Sequence, residues 1–184
     1  MKKLKYLIYF SICFLTTSCS INGNFQGLFS YYKKTVKDNP NLIDKSPASI
    51  CETRLAMAHN VIIANGIKLK QCVNRSANVL VYVWSPNCKS GYCYSLNAIQ
   101  TKCDEKNIEL YIVAEYYDGK KMQLDYHLRR SIIGIDTKYY KTNLTSKYLS
   151  KFINDLTSKS DIHNRFLYFT NGILSKSFDS IDSI

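Results

Sequence analysis

Proline and glycine are scarce, three and seven in 184 residues, which excludes collagen-like repeats and low-complexity disorder. A second long hydrophobic run is missing. The one apolar stretch with the length to concern a membrane lies at the N-terminus, so this is not the pattern of a polytopic membrane protein. Acidic residues are few, 14 against 25 Lys and Arg, and the formal net charge is +11. The basic residues are nevertheless spread along the chain, with no Arg-rich tract and no base-reading motif. That pattern argues against nucleic acid as a partner, because its binders cluster charge on one face. A solvated basic exterior is the expected meaning. What remains, with 46% hydrophobic residues, is enough chain for one globular domain with a sizeable core.

The first twenty residues have three zones. Lys2, Lys3 and Lys5 make a basic head, Leu7 to Leu15 a short apolar stretch, and Thr16, Thr17 and Ser18 lead into Cys19. Such an order reads as a secretory signal, too short for a membrane-spanning helix. It resembles the lipobox of bacterial lipoproteins, with Thr16 where Leu is usual and Leu15 one place earlier. The resemblance implies that Cys19 is diacylated by palmitate-type chains and anchors the protein to a membrane, two chains holding where one is marginal. Removal of residues 1–18 leaves 22 basic and 14 acidic residues, a net charge of +8. Residues 20–23 carry no acidic run, which leans towards the cell envelope facing the periplasm. The expected organisation is a signal peptide over 1–18, a tether over 19–45 and a folded domain over 46–184.

Within the domain, Ser46-Pro47 reads as a helix entry. Val61 to Ala64, Asn65-Gly66 and Ile67 to Lys70 read as a β-hairpin with a two-residue turn. Val79 to Trp84 is a continuous β-branched and aromatic run, the mark of a strand covered on both faces. Leu96, Ile99 and Cys103 follow at helical spacing, and Ile108 to Ala114 is a second apolar run. Strand, helix and strand in this order predict a βαβ unit with parallel strands. The segment from Tyr117 to Lys141 has no single reading, with a helix through Met122 and Leu128 and a short strand from Ile132 to Ile135 as its options. Leu144, Tyr148, Leu149, Phe152, Ile153 and Leu156 share one helical face, with Asn143 as the expected cap. Arg165 to Phe169, Asn171-Gly172 and Ile173-Leu174 predict a closing antiparallel hairpin.

Five cysteines remain beyond Cys13 and Cys19, in a compartment where disulfides persist. Cys51 and Cys72 either form a structural bridge over about twenty residues or stand as unrelated thiols. Cys103 shares the apolar stripe of its helix, where a buried, inert thiol is expected. Cys88 follows the strand that ends at Trp84, at the point where a helix is expected to begin. Free N–H groups, the helix dipole and neighbouring Lys89 would all favour its thiolate there. Cys93 would then resolve a mixed disulfide.

Trp84 and Cys88 reproduce the W-x-x-x-C spacing that ends the central strand of the thioredoxin superfamily. The order of elements that follows, through Phe166 to Gly172, also resembles that family over residues 60–184. The extra length before the Leu144 helix is similar to the longer redox lipoproteins of the periplasm, and the whole resembles a Bacteroides-type, membrane-anchored lipoprotein. The resemblance implies an α/β, thioredoxin-like three-layer fold with a central mixed sheet, a βαβ unit and a C-terminal antiparallel hairpin. It further implies a thiol–disulfide oxidoreductase that acts on protein or peptide thiols through catalytic Cys88 and Cys93, with no bound cofactor and no metal.

Three positions depart from the family pattern. Cys88 and Cys93 are five residues apart, a separation of about 8–9 Å in a regular helix, so the pair closes only across a loop. Tyr82 stands where the family buries an acid, and Asn164 where it places a cis-proline. These departures keep a second reading open, a non-catalytic binding or scaffold lipoprotein with a static disulfide. Cu(I) delivery is a third, since paired thiolates suit that soft ion and the superfamily's copper carriers add a distant His. His127 or His163 would have to serve, and neither lies in a ligand motif.

Overall fold

The structure, a computed structural model, describes residues 26–44, 50–52, 60–91 and 93–184. The signal peptide, Cys19 and the Ser46-Pro47 helix entry lie outside the described residues. In chain order the elements are α1 (Tyr32–Asp38), β1 (Ile43–Asp44), β2 (Val61–Ala64), α2 (Gly66–Val73), β3 (Asn78–Trp84), α3 (Leu96–Glu105), β4 (Glu109–Ala114), the one-turn α4 (Gly119–Met122), β5 (Ile133–Ile135), α5 (Thr145–Thr157), β6 (Phe166–Thr170) and β7 (Ile173–Phe178), with a final 3₁₀ turn at Ile181–Ser183. The strands form one mixed sheet in the order β1-β2-β5-β4-β3-β6-β7.

Period-2 alternation along β3 sorts the core into two halves. Leu80, Tyr82 and Trp84 face α3, where they meet Leu96, Ile99 and Cys103, with Met122 of α4 in the same cluster. Val79, Val81 and Val83 face the other way, onto Leu69, Cys72 and Val73 of α2 and Tyr148, Phe152 and Leu156 of α5. The result is a three-layer α/β arrangement of thioredoxin type, with helices on both faces of the sheet. β3 and β4 pair in parallel from Val79↔Glu109 to Trp84↔Ala114, with α3 as the crossover, as the βαβ pattern requires. β6 runs antiparallel to β3, and β7 antiparallel to β6. Asn171 and Gly172 both take positive φ (49° and 77°), the geometry a tight two-residue turn demands and the reason Asn-Gly marks it.

The hairpin expected over 61–70 is not formed. β2 is followed directly by α2, and Asn65 is its N-cap in extended geometry, its Oδ1 accepting from Lys68 N at 2.9 Å. Asn-Gly satisfies a helix entry as well as a turn. The decision was tertiary: Leu69, Cys72 and Val73 are fully buried at helical spacing, and Gly66 lies where an added Cβ would come within 2.3 Å of the Phe152 carbonyl oxygen. The glycine lets α2 and α5 touch.

Residues 26–44, expected as part of a tether, join the domain. α1 packs Tyr32 and Val36 against the core, and Leu42 and Ile43 are buried beside β2, with which β1 pairs in parallel. The same segment explains the cap of α5. Asn143 does not cap it; Leu144 occupies the N-cap position without a side-chain bond, while Thr145 N donates to Leu28 O at 3.0 Å. A backbone strap thus satisfies a free helix N–H that a side chain was expected to take. Asn143 Oδ1 accepts from Ser30 Oγ instead. In the ambiguous stretch, the helix is a single turn and the strand is β5, lodged between β2 and β4. No helix among the described residues is long and apolar enough to cross a membrane.

Candidate functional site

β3 delivers its last residue, Trp84, 6% exposed, to the carboxyl end of the parallel strands, where its ring stands edge-on to Tyr126 at 5.9 Å. The chain then leaves the sheet in a turn, Cys88 N donating to Ser85 O at 3.1 Å. Two side chains from the segment after β4 fix this loop. Tyr116 Oη accepts from Asn87 N at 3.1 Å, and Asp118 Oδ2 accepts from Asn87 Nδ2 at 2.6 Å.

Cys88 and Cys93 are joined in a disulfide with their Cα atoms 5.6 Å apart, inside the ~7 Å reach of such a bond. Lys89, Ser90 and Gly91 are not helical, so the five-residue spacing closes across a loop. Ser90 sits inside that loop with its Oγ 3.5 Å from both sulfurs. Cys93 N donates in turn to Ser90 O at 3.1 Å. Both cysteines are half-buried and border a cleft of about 230 Å³ whose walls include Tyr82, Trp84, Tyr94 and Tyr126.

One part of the sequence argument is corrected here. Cys88 does not sit at a helix start, because α3 begins at Leu96, eight residues further on. The helix field decays within its first turn, so it does not reach Cys88 in the way expected. Cys93, three residues ahead of α3, lies nearer to it. What does stand beside the sulfurs is the Ser90 hydroxyl, with exposed Lys121 in the cleft lining and exposed Lys89 next to Cys88 in the chain.

Tyr82 lies beneath the bridge, 1% exposed, stacked on Phe166 at 4.5 Å. Burial pushes its phenol above the ordinary value, opposed by the charge of Arg165 and a bond with the Tyr94 backbone. It is a neutral polar floor where a carboxylate would carry charge. Asn164 does not line this cleft and is bonded to β7 and the loop after it: its Nδ2 donates to Asp179 Oδ2 at 2.9 Å, and its Oδ1 accepts from Ser177 Oγ at 2.8 Å. All peptide bonds among the described residues are trans.

Cys51 and Cys72 are bridged, with Cα atoms 5.0 Å apart. The bond ties the segment at residues 50–52 to the last turn of α2. The same segment is held from the other side, where Arg130 Nη1 donates to Cys51 O at 2.8 Å. Arg130 is itself nearly buried, paired with Glu109 and placed over the Tyr111 ring at 4.8 Å. Cys103 is free and fully buried, its thiol pushed up to about 12 chiefly by desolvation, which matches an inert role.

Neither histidine lines the Cys88–Cys93 cleft. His127 is exposed, its backbone N–H bonded to Asn97, and His163 borders a separate cavity with Glu115 and Arg165. Among the described residues no group of three or more His, Cys, Asp or Glu is placed to hold a metal ion. Lys121 and Tyr126 escaped the sequence reading, and Ser90 entered it only, with Gly91, as a residue that permits the loop. Ser90 lay between two flagged cysteines and was findable; Lys121 and Tyr126 come from a segment without period, about thirty residues on. Comparison with protein-family models, with curated proteins and with solved structures finds no match to the chain.

Proposed function

We propose that the protein is an exported, lipid-anchored thiol–disulfide oxidoreductase of thioredoxin type that exchanges electrons with protein or peptide thiols through Cys88 and Cys93. The observation that carries this reading is the position of the bridge: half-exposed, in a cleft, at the carboxyl end of the parallel strands, with a hydroxyl within 3.5 Å of both sulfurs. Crevices at that end of an α/β sheet are where such folds keep their ligands. In the reduced protein, the Cys88 thiolate attacks a substrate disulfide and expels one substrate thiolate. Cys93 then attacks the mixed disulfide, releases the second thiolate and restores the bridge. Ser90 is positioned to donate to whichever sulfur carries the charge.

The test is reduction of a protein disulfide such as that of insulin, coupled to a thiol reductant. Cys88→Ser abolishes turnover, and Cys93→Ser accumulates a mixed disulfide visible as a mass adduct. Unchanged thiol exchange in Cys88→Ser refutes the reading. The lipid anchor at Cys19 is tested separately by labelling with palmitate in cells, which Cys19→Ser must lose.

One observation favours a second reading, a binding module with a static bridge. Asn164, at the position the resemblance gives to a peptide-docking cis-proline, is engaged by Asp179 and Ser177 and lines a separate cavity rather than the cleft of the cysteines. On that reading the Cys88→Ser protein keeps its partner and no exchange activity is found in either form.

A further inference from the structure

The charge in the lining of the disulfide cleft is positive. Among the described residues Lys121 is the sole charged one that lines it, and exposed Lys89 adjoins Cys88 in the chain. Three carboxylates lie near its walls without lining it: Glu115 acts on Tyr82, Asp125 precedes Tyr126 in the chain, and Asp118 acts on Tyr126 while its oxygens accept from Lys120 N and Lys121 N at 3.1 Å and Asn87 Nδ2 at 2.6 Å. Those bonds make Asp118 the N-cap of α4 and so hold Lys121 at the mouth of the cleft. The remaining walls are aromatic or neutral: Trp84, Tyr94 and Tyr126 around the sulfurs, Tyr82 below them. At about 230 Å³ the space admits one residue or a small thiol, not a large ligand.

We propose that this cleft selects thiols that carry a carboxylate beside the sulfur, and that Lys121 is the residue that selects them. The inference rests on the redox reading above and adds the substrate class. A substrate thiolate attacks Cys88 Sγ and forms a mixed disulfide. The Cys88–Cys93 bond breaks, and Cys93 leaves as a thiolate that takes a proton from water. A second substrate thiolate attacks the substrate sulfur of the mixed disulfide and frees Cys88. Two substrate thiols become one disulfide, and the protein bridge gains the two electrons. Lys121 takes no part in bond making. It lowers the energy of the anionic encounter, and it repels a substrate with an ammonium group at the same place.

The experiment follows reduction of the bridge in the folded chain by 3-mercaptopropionate, 2-mercaptoethanol and cysteamine, with rates corrected to thiolate concentration and thiol basicity. The expected order is anion, neutral, cation, with about three- to tenfold between neighbours at low salt and compression in 0.5 M salt. Lys121→Gln narrows the spread and Lys121→Glu reverses it; the position is exposed, and far-UV circular dichroism checks that both variants are folded. Peptides with Glu-Cys-Glu and Lys-Cys-Lys cores form a second arm. A preference confined to the peptides identifies acidic segments of proteins as the source, and one confined to the small thiols identifies free carboxylated thiols. Equal corrected rates in the unaltered protein, or an unchanged order in Lys121→Glu, overturn the selectivity while leaving the redox reading intact. A bridge that no thiol reduces in the folded chain overturns both.

Discussion

The two disulfides differ in what they hold, and the difference predicts an order of events. Cys51–Cys72 closes a span of 21 residues and Cys88–Cys93 a span of 5. By loop-closure entropy the first restricts the unfolded chain by about 3 kcal/mol and the second by about 2 kcal/mol. Burial widens the gap. Cys72 is fully enclosed by the α2–α5 half of the core, whereas both members of the second pair are half-exposed. Cys51 is additionally held through its carbonyl by Arg130. Cys51→Ser with Cys72→Ala should therefore lower the melting temperature by about 6–12 °C, taking about 2–4 °C per kcal/mol for a domain of this size. The assay is thermal unfolding followed by far-UV circular dichroism. Native mass spectrometry with alkylation, during titration with a mild reductant, supplies the second readout. Cys88 and Cys93 should be labelled while Cys51 and Cys72 remain bridged. A melting temperature within 2 °C of the unaltered protein, or labelling in the reverse order, refutes the assignment of one bridge to structure and the other to exchange.

Two further predictions follow from single groups. Ser90→Ala removes the hydroxyl shared by the two sulfurs, and in the reduced protein it should slow alkylation of the reactive cysteine at neutral pH by withdrawing a hydrogen bond from its thiolate. The pH dependence of iodoacetamide alkylation reads this directly, and an unmoved profile removes Ser90 from the site. Cys103 concerns stability in alkali. Its thiol ionises near 9 when unfolded and at about 12 when folded, so the unfolded state loses its proton first. The associated stability is complete below about pH 9 and declines as pH rises towards 12. Burial shifts Tyr140 and Tyr148 upward as well, and they deepen the loss above pH 10. Urea midpoints at pH 7, 9 and 10.5 should fall across that window, with Cys103 unalkylated in the folded protein at pH 8.5. A flat stability profile, or ready alkylation, contradicts its burial.

Much of the fold was legible because its elements carry strong local periods. The six-residue apolar run before Ser85 has no face to give to water, so a doubly covered strand is the only place for it. Leu144 to Leu156 repeats at helical spacing over three turns, and Asn171-Gly172 supplies the positive φ of the closing turn. The failures share a cause. Asn65-Gly66 suits a hairpin and a helix entry alike, and the choice fell to the contact between Gly66 and the α5 backbone at Phe152, 86 residues further along the chain. Residues 26–44 have no period, and they became part of the domain through pairing with β2 and through a strap over the start of α5.

The site divides in the same way. Sequence alone determined that a Trp-capped buried strand is followed by two cysteines, with serine and glycine between them to permit a loop. It determined that Cys103 falls on an apolar stripe. It did not determine where α3 begins, because Ser85 to Ser95 has no hydrophobic period to mark a helix start. Nor did it determine the electrostatics of the cleft, since Lys121 and Tyr126 reach it from a segment that is distant in sequence. Tertiary structure decided those matters: local pattern fixes which face of an element is buried, whereas the sign of charge around a cleft depends on which distant chains the packed core brings to its rim.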